Sequence, residues 1–457
     1  ADRARATPVR PRQTERRRAS DAADVVAGRE FAIFLWGATG APGPRAAHHL
    51  ARRSAECGRP RAIAGRNEAK LQVQRQDLPD VGRPIALVIG DSHDTAFMGA
   101  MTARTHVVAS TAGPFALYGS ELVAACAKNG THYCDLSAEP QWMRAMIDVH
   151  EDDARESGAR IVHACGHDSI PSDLGVQFLQ EAARARYGQP CRRVATRVTR
   201  MKGGFSGGTA ASFLNAMRLR ETDPEFSRLS LDPYALCPKG QRDGPDGQDR
   251  MMPIEVTWDA DLKAWTKPYF MGPMNAKVVR RTNAIMDYPY GRHFRYEETG
   301  LTRGGIGGWW AAMRDTLLGR LFLNAMSIPA TRRMLERRVL PKSGEGPSKE
   351  VRESGSYEIV QVGEMPDGTI LKARITGQGD PGVRSTTLML TEAALCLRQD
   401  EARITVGGGF WTPASARGPL LRARIVQHAG LSIDLIEDPH PDVADPGQSE
   451  ERGELRP

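Results

Sequence analysis

Residues 30–43, EFAIFLWGATGAPG, join a short apolar run of β type to glycines at positions 37, 40 and 43. This order predicts a strand over Glu30–Trp36, a phosphate-binding turn, and a helix over Pro44–Arg53. Gly37 lets the backbone turn sharply, Gly40 lets it approach a pyrophosphate, and Gly43 lets the helix pack close to the strand; Thr39 lies within the same turn. Unpaired N–H groups and the helix dipole then favour an anion at the helix N-terminus. The spacing G-x-x-G-x-x-G is a weaker signal than G-x-G-x-x-G taken alone, so its weight comes from the segments on its C-terminal side.

Those segments alternate regularly. Arg61–Ala64, Pro84–Ile89, His106–Thr111, Thr131–Cys134 and Ala159–Ala164 read as strands, with helices at Asn67–Gln76 and Thr95–Arg104. The fold class this implies is α/β, an N-terminal Rossmann domain with a doubly wound parallel sheet, whose ligand crevice lies outside the carboxyl ends of the strands. At the end of the second strand, where an acid would hold ribose hydroxyls, stand Gly65 and Arg66. An arginine there neutralises a 2′-phosphate, which favours NADP(H) over NAD(H). Asp91, after the third strand, either borders the adenine or caps the helix beginning near Thr95.

The reacting end of the cofactor falls at the fourth strand. Ala112, Gly113 and Pro114 are small residues that admit a nicotinamide ring, and Tyr118 lies five residues past Gly113. Its hydroxyl can donate at neutral pH, which makes it the first proton-donor candidate; the alternative is a ring packed on the helix face. His167 is the second candidate, and Asp168 suits orienting a neighbour, since an unperturbed aspartate is ionised. In the same segment, ACGHDSIPSD (164–173), Pro171 fits a first helical turn, with Ser169 or Ser172 as caps for a helix over Asp173–Arg186.

Beyond Arg186 the pattern changes. Arg192–Met201, Ala276–Met286, His293–Glu298, Ser356–Val362 and Thr369–Thr376 have period-2 character without regular intervening helices, which predicts a second, α+β domain with a mixed sheet. GGFSGGTAAS (203–212) either lines the substrate side of the cleft or is a strand-to-helix turn needing positive φ, with Thr209 near a cap. A helix over Ser385–Leu397 and the turn GGGFWTPASARG return the chain to the first domain. The resulting division is a basic tail (1–29), a Rossmann NADP-binding domain (30–186), a substrate or dimerisation domain (187–384), a returning segment (385–436) and an acidic tail (437–457). Residues 304–329 carry apolar side chains at helical spacing, interrupted by Arg314, Asp315 and Arg320. They exclude a good membrane span and leave three readings: core beneath the sheet, a homodimer face, or peripheral contact with a membrane.

Composition excludes several classes. Seven cysteines without a C-x-x-C pair among 457 residues argue against a zinc ribbon or a disulfide scaffold, and no metal site is expected. The net charge of +7 is unevenly spread: residues 1–29 hold eight arginines against four acids, and residues 437–457 hold seven acids against two arginines. The middle therefore keeps a moderate basic excess, suited to phosphorylated cofactors, acyl carriers or an anionic membrane. No nucleic-acid motif is present, and no apolar leader precedes the first strand. A cytoplasmic location is expected, with peripheral contact at the inner membrane as the alternative.

The segments GATGAPG, AGRN, GPFALYG, YCDLSAE and GHDSIPSDLG together resemble the saccharopine dehydrogenase-like oxidoreductases, in particular the bacterial trans-acting enoyl reductases. Further matches are GGFSGGTAAS, PKSGEGPS (341–348), GDPGVRSTTLMLTEAALCL (379–397) and GGGFWTPASA (407–416), so the resemblance spans residues 30–430. It implies NADP-dependent reduction of a carbon–carbon double bond in a small-molecule or acyl-carrier-bound lipid substrate. Imine reduction of the saccharopine type and nucleotide or lipid binding without turnover are the alternatives. Two residues depart from the family pattern. Pro42 removes an N–H that a phosphate would use, and His167 stands where the family has phenylalanine.

Overall fold

The computed structural model describes residues 28–53, 60–80, 85–204, 206–241, 255–342 and 344–437. The expected tails lie outside these residues except at their inner ends, as does most of the Pro/Gly loop at 237–250. Arg29 belongs to the fold rather than the tail, since it is buried and its guanidinium donates to the Thr105 carbonyl at 2.7 Å.

Six strands of the first half are parallel: β1 (Phe31–Trp36), β2 (Arg61–Gly65), β3 (Ala86–Ile89), β4 (Thr105–Ser110), β5 (His132–Asp135) and β6 (Arg160–Val162). The second half adds β7 (Arg193–Lys202), β8 (Trp258–Asp259), β9 (Ala264–Lys267), β10 (Arg295–Leu301), β11 (Ser356–Glu364), β12 (Ile370–Gln378), β13 (Gly409–Trp411) and β14 (Leu431–Ile436). Strand β13 pairs in parallel with β6, giving a first sheet in the order β13-β6-β5-β4-β1-β2-β3. The second sheet, β14-β12-β11-β7-β10-β9-β8, is mixed: β7 and β10 are parallel and its other pairs antiparallel. All six residues of β1 are buried, as helices covering both faces of a parallel sheet require.

The helices of the first half are α1 (Gly43–Arg52), α2 (Glu68–Gln76), α3 (Thr95–Ala103), α4 (Phe115–Tyr118), α5 (Ser120–Asn129), α6 (Pro140–Ser157) and α7 (Ile170–Tyr187). Those of the second are α8 (Gly207–Thr222), α9 (Pro224–Leu231), α10 (Gly272–Ile285), α11 (Gly305–Ser327), α12 (Pro329–Arg338), α13 (Lys349–Ser354), α14 (Thr386–Gln399) and α15 (Pro413–His428). A π turn, Pro381–Ser385, leads into α14. Glu392 of α14, fully buried, accepts from His49 of α1 at 2.7 Å and Arg424 of α15 at 3.0 Å, which ties the returning segment to the first sheet. The last part of that segment departs from expectation, since β14 joins the second sheet.

Two other expectations are corrected. Ala276–Met286 falls in helix α10 up to Ile285, with Met286 as its C-cap, and is not a strand. Its β-branched residues suggested period 2, but nearly every side chain of α10 is buried, so no polar face reveals the helical period. Residues 304–329 are not core either. Only Gly308, Ala312, Thr316 and Met326 of α11 are buried, and most of its large apolar side chains, among them Ile306, Trp310, Leu317 and Leu321, are exposed.

Helix α7 holds the two sheets together. Ser169 is its N-cap residue, but the hydroxyl bonds Asn275 of α10 at 3.0 Å instead of capping, and Ser172 donates to Glu298 of β10 at 3.1 Å. Gly175 lets the second sheet come close: a Cβ there would lie 2.5 Å from Ile375 and 2.6 Å from Gln361. Asp173 accepts from Thr282 of α10 at 2.6 Å and from the Ala414 N–H of α15 at 2.8 Å. Burial pushes its carboxyl up to about 7 despite these bonds. The folded value exceeds the unfolded one, so this contribution to stability is complete below the unfolded pKa and is lost as pH rises toward 7. Relative to Asp173→Asn, which does not titrate, the wild type should lose about 1–3 kcal/mol between pH 5 and pH 8. Urea midpoints at the two pH values measure this; an unchanged difference between the proteins would contradict it.

Candidate active site

The glycine loop has the shape its sequence suggests. Gly37 has φ +79, and a Cβ on it would lie 2.8 Å from the Ala112 N and 2.9 Å from the Thr111 hydroxyl. Gly43 would place a Cβ 2.0 Å from the Ala38 carbonyl, so only glycine admits the close packing of α1. At Gly40 the nearest atom is the Gly37 carbonyl oxygen at 3.4 Å, leaving open the side a pyrophosphate would approach. Thr39 lies between this loop and the end of β2, its hydroxyl 3.9 Å from where a Gly65 Cβ would stand. The N-cap position of α1 is Pro42, which makes no side-chain cap, and its carbonyl accepts from Ala46.

At the ends of β2 and β3 the adenosine side takes form. Arg66 is exposed, and its guanidinium sits 5.2 Å from the centroid of the Tyr118 ring. The His93 ring lies 5.8 Å from the same ring. Tyr118 is thus drawn toward Arg66, whereas the side-chain atoms nearest a Gly113 Cβ belong to Phe115 and Ser212. Asp91 accepts from the His93 N–H at 2.9 Å, and the cap of α3 is Asp94, which accepts from Phe97. The capping alternative for Asp91 is therefore corrected, because Asp94 stands immediately before the first helical residue.

The turn at Ala112, Gly113 and Pro114 is built by one carboxylate. Glu139 accepts from the N–H groups of Phe115 at 2.8 Å and Ala116 at 2.9 Å, satisfying the first turn of α4, and from the Ser212 hydroxyl at 2.7 Å. Ser212 belongs to α8, so GGFSGGTAAS does reach the rim of the crevice. Gly203 and Gly204 serve close approach rather than positive φ, since a Cβ on them would lie 2.5 Å from Pro381 and 2.9 Å from Pro347, and Ser206 caps α8 by accepting from the Thr209 N–H. Nearby, a Gly346 Cβ would lie 3.6 Å from the Ala41 Cβ, so Gly346 sits beside the glycine loop.

The loop after β6 is pinned by Asp135, whose carboxylate accepts from Ser137 N–H, Ala164 N–H and His163 Nδ1. The Ala164 bond holds a residue with φ 60 at the base of the loop. His167 is buried, its N–H donates to Thr386 at 2.9 Å, and its ring stands edge-on to Tyr357 at 4.2 Å. Burial pushes it down to about 3, which favours the neutral imidazole. The edge-on contact with Tyr357 agrees with the reading of His167 as a ring in the place of a packing aromatic.

Asp168 behaves otherwise, since burial pushes its carboxyl up to about 6. Its acidic neighbour Glu298 is raised to about 7, chiefly by burial, although it accepts from Tyr296, Asn275 and Ser172. Tyr269 packs against the cores of both sheets, its hydroxyl 3.9 Å from Met201 Sδ. Burial, and then the charges of Glu298 and Asp168, push its phenol well above the ordinary range. Sequence reading passed over Tyr269 and Glu298; the signal for Glu298 was an acid on the inward side of β10, in register with Tyr296 and Gly300.

Residues 33–162 match the family model described as the saccharopine dehydrogenase NADP binding domain. The trans-acting enoyl reductase of Mycobacterium ulcerans is 36% identical over 422 residues, covering 88% of this chain and 97% of its own. A Mycobacterium tuberculosis protein bearing the same name provisionally is 39% identical over 419 residues, covering 89% and 97%. Apo saccharopine dehydrogenase from Saccharomyces cerevisiae aligns over 89% of this chain and 100% of its own, with 12% identity and a TM-score of 0.48. The chain is an NADP-binding oxidoreductase that belongs to the saccharopine dehydrogenase-like family, in the branch of the trans-acting enoyl reductases.

Proposed function

We propose that the protein reduces the carbon–carbon double bond of an enoyl thioester, carried on a lipid precursor. The observation that carries this reading is a Rossmann glycine loop open at Gly40 to a pyrophosphate, in a chain whose relatives are named trans-acting enoyl reductases; Asp168, whose carboxyl burial pushes up to about 6, is its candidate acid. When bound, NADPH would supply a hydride from nicotinamide C4, the two-electron reductant that saturation at the β carbon requires. The chain must then stabilise negative charge on the thioester oxygen and deliver a proton to the α carbon, leaving a saturated thioester and NADP⁺.

Asp168 is the proposed proton source. With a pKa of about 6, roughly a tenth of it is protonated at pH 7, and its donation at the α carbon is balanced by uptake from solvent. Tyr269, kept protonated by burial and then by its acidic neighbours, is the proposed hydrogen-bond donor to the oxygen. Gly40, Thr39 and Gly37 would accommodate the pyrophosphate, and Gly113 and Pro114 the nicotinamide. Arg66 would meet the 2′-phosphate, with the Tyr118 ring and His93 fixing its direction. The Glu139–Ser212 bond would hold the second domain against the reacting end.

NADPH should bind roughly ten- to a hundredfold more tightly than NADH, matching about 1.5–3 kcal/mol for a charge-assisted contact. Arg66→Ala should erase the difference, as titration of both nucleotides would show; equal affinities in the wild type would contradict the cofactor assignment. Turnover should fall as pH rises through 6 to 8, and Asp168→Asn should lower it by roughly 10²-fold or more and flatten that profile while NADPH affinity is kept. Tyr118→Phe, which retains the ring beneath Arg66, should stay near wild type. A pH profile in Asp168→Asn identical to the wild type would remove Asp168 from the mechanism.

A further inference from the structure

Helix α11 presents outward what a core helix turns inward. Its buried residues Gly308, Ala312, Thr316 and Met326 form one narrow face. The opposite side carries Ile306, Trp310, Met313, Leu317 and Leu321, continued by Ile328 before α12, at spacings of three, four and seven. All are exposed, from 40% for Met313 to 75% for Ile306. An apolar stripe of this length on the surface marks a contact with something apolar.

The exposed charge around it is predominantly positive. Arg303, Arg314, Arg320, Arg333, Arg337 and Arg338 are exposed. The acids of this stretch are engaged: Asp315 meets Lys267 at 2.6 Å and Arg314 at 2.7 Å, and Glu336 meets Arg218 at 3.2 Å.

We propose that α11 and α12 form a docking surface for an anionic lipid bilayer. The helices lie in the plane of the interface, the stripe dips into the acyl boundary with Trp310 at headgroup depth, and the arginines meet lipid phosphates. Among the described residues no helix is long and apolar enough to cross a membrane, in keeping with a surface mode. A second copy is a poorer occupant, because a two-fold contact sets the patch against itself and brings the arginines of both copies together.

The surface is also coupled to the crevice. Phe213 of α8 stacks on Phe322 at 6.0 Å, and Glu221 of α8 pairs with Arg332 at 2.6 Å. Helix α8 is the element whose Ser212 meets Glu139 beside Gly113. Docking stands independently of the proposed chemistry, and with it would bring the crevice to the surface where lipid substrates reside.

The test is flotation of the full chain with vesicles of phosphatidylcholine alone or mixed with phosphatidylglycerol, at low and high salt. Wild type should float with the mixed vesicles, less at high salt, and hardly with the neutral ones. The double variants Leu317→Glu/Leu321→Glu and Arg320→Glu/Arg337→Glu should each reduce binding at least about tenfold. Their thermal midpoints and NADPH affinities should match the wild type, since the altered side chains are exposed. Absence of flotation, equal binding to neutral vesicles, or full binding by either double variant would overturn the proposal. So would a dimer that Leu317→Glu/Leu321→Glu splits while vesicles are ignored, which would assign the surface to a second copy.

Discussion

The burial of carboxyl groups along the start of α7 is the constraint on which the rest of the structure depends. Ser172 and Asp173 sit where a helix of the first sheet meets strands and helices of the second, and Glu298 answers from β10. A charged carboxylate in such a place is costly, so these groups are held with raised pKa values and saturated with donors. The same low-polarity seam runs to Asp168, one residue before Ser169. The feature that fastens the sheets thereby also raises the carboxyl proposed as the proton source.

The crevice divides into two ends with different physics. At the proposed adenosine end stand an exposed charge and an aromatic surface, Arg66 over Tyr118. At the proposed reacting end desolvation shifts His167 down and Asp168 up, favouring the neutral form of each. One environment acts oppositely on a base and an acid, because burial always disfavours the charged form. This asymmetry, rather than proximity in sequence, is why the proposed donor role passes from Tyr118 and His167 to Asp168.

Much of this architecture is legible in the sequence. The β1 turn, the strand-helix alternation and Arg66 depend on local rules, apolar periodicity and glycine at tight approaches, and those rules act within a few residues. The mixed second sheet is legible as well. What fails to show is set by distant neighbours. Helix α10 is buried on all sides and so has no amphipathic signature. Strand β13 is three residues long and exists because β6 offers an edge. The outward stripe of α11 reads in sequence like any core helix, since periodicity reports that a face is apolar but not what covers it. The raised pKa of Asp168 comes from burial, which is set by tertiary packing and not by its neighbours in the chain.

The central claim is hydride delivery to a carbon–carbon double bond, and isotope transfer reads it most directly. The protein would be given NADPH dideuterated at nicotinamide C4 and an enoyl thioester in ordinary water, and the product analysed by mass spectrometry and NMR. The account predicts a saturated thioester carrying one deuterium, at the β carbon, with the α carbon labelled instead when the solvent alone is D₂O. Tight NADPH binding with no label entering the enoyl substrate, or label appearing on the carbon of a C=N substrate in its place, would contradict it.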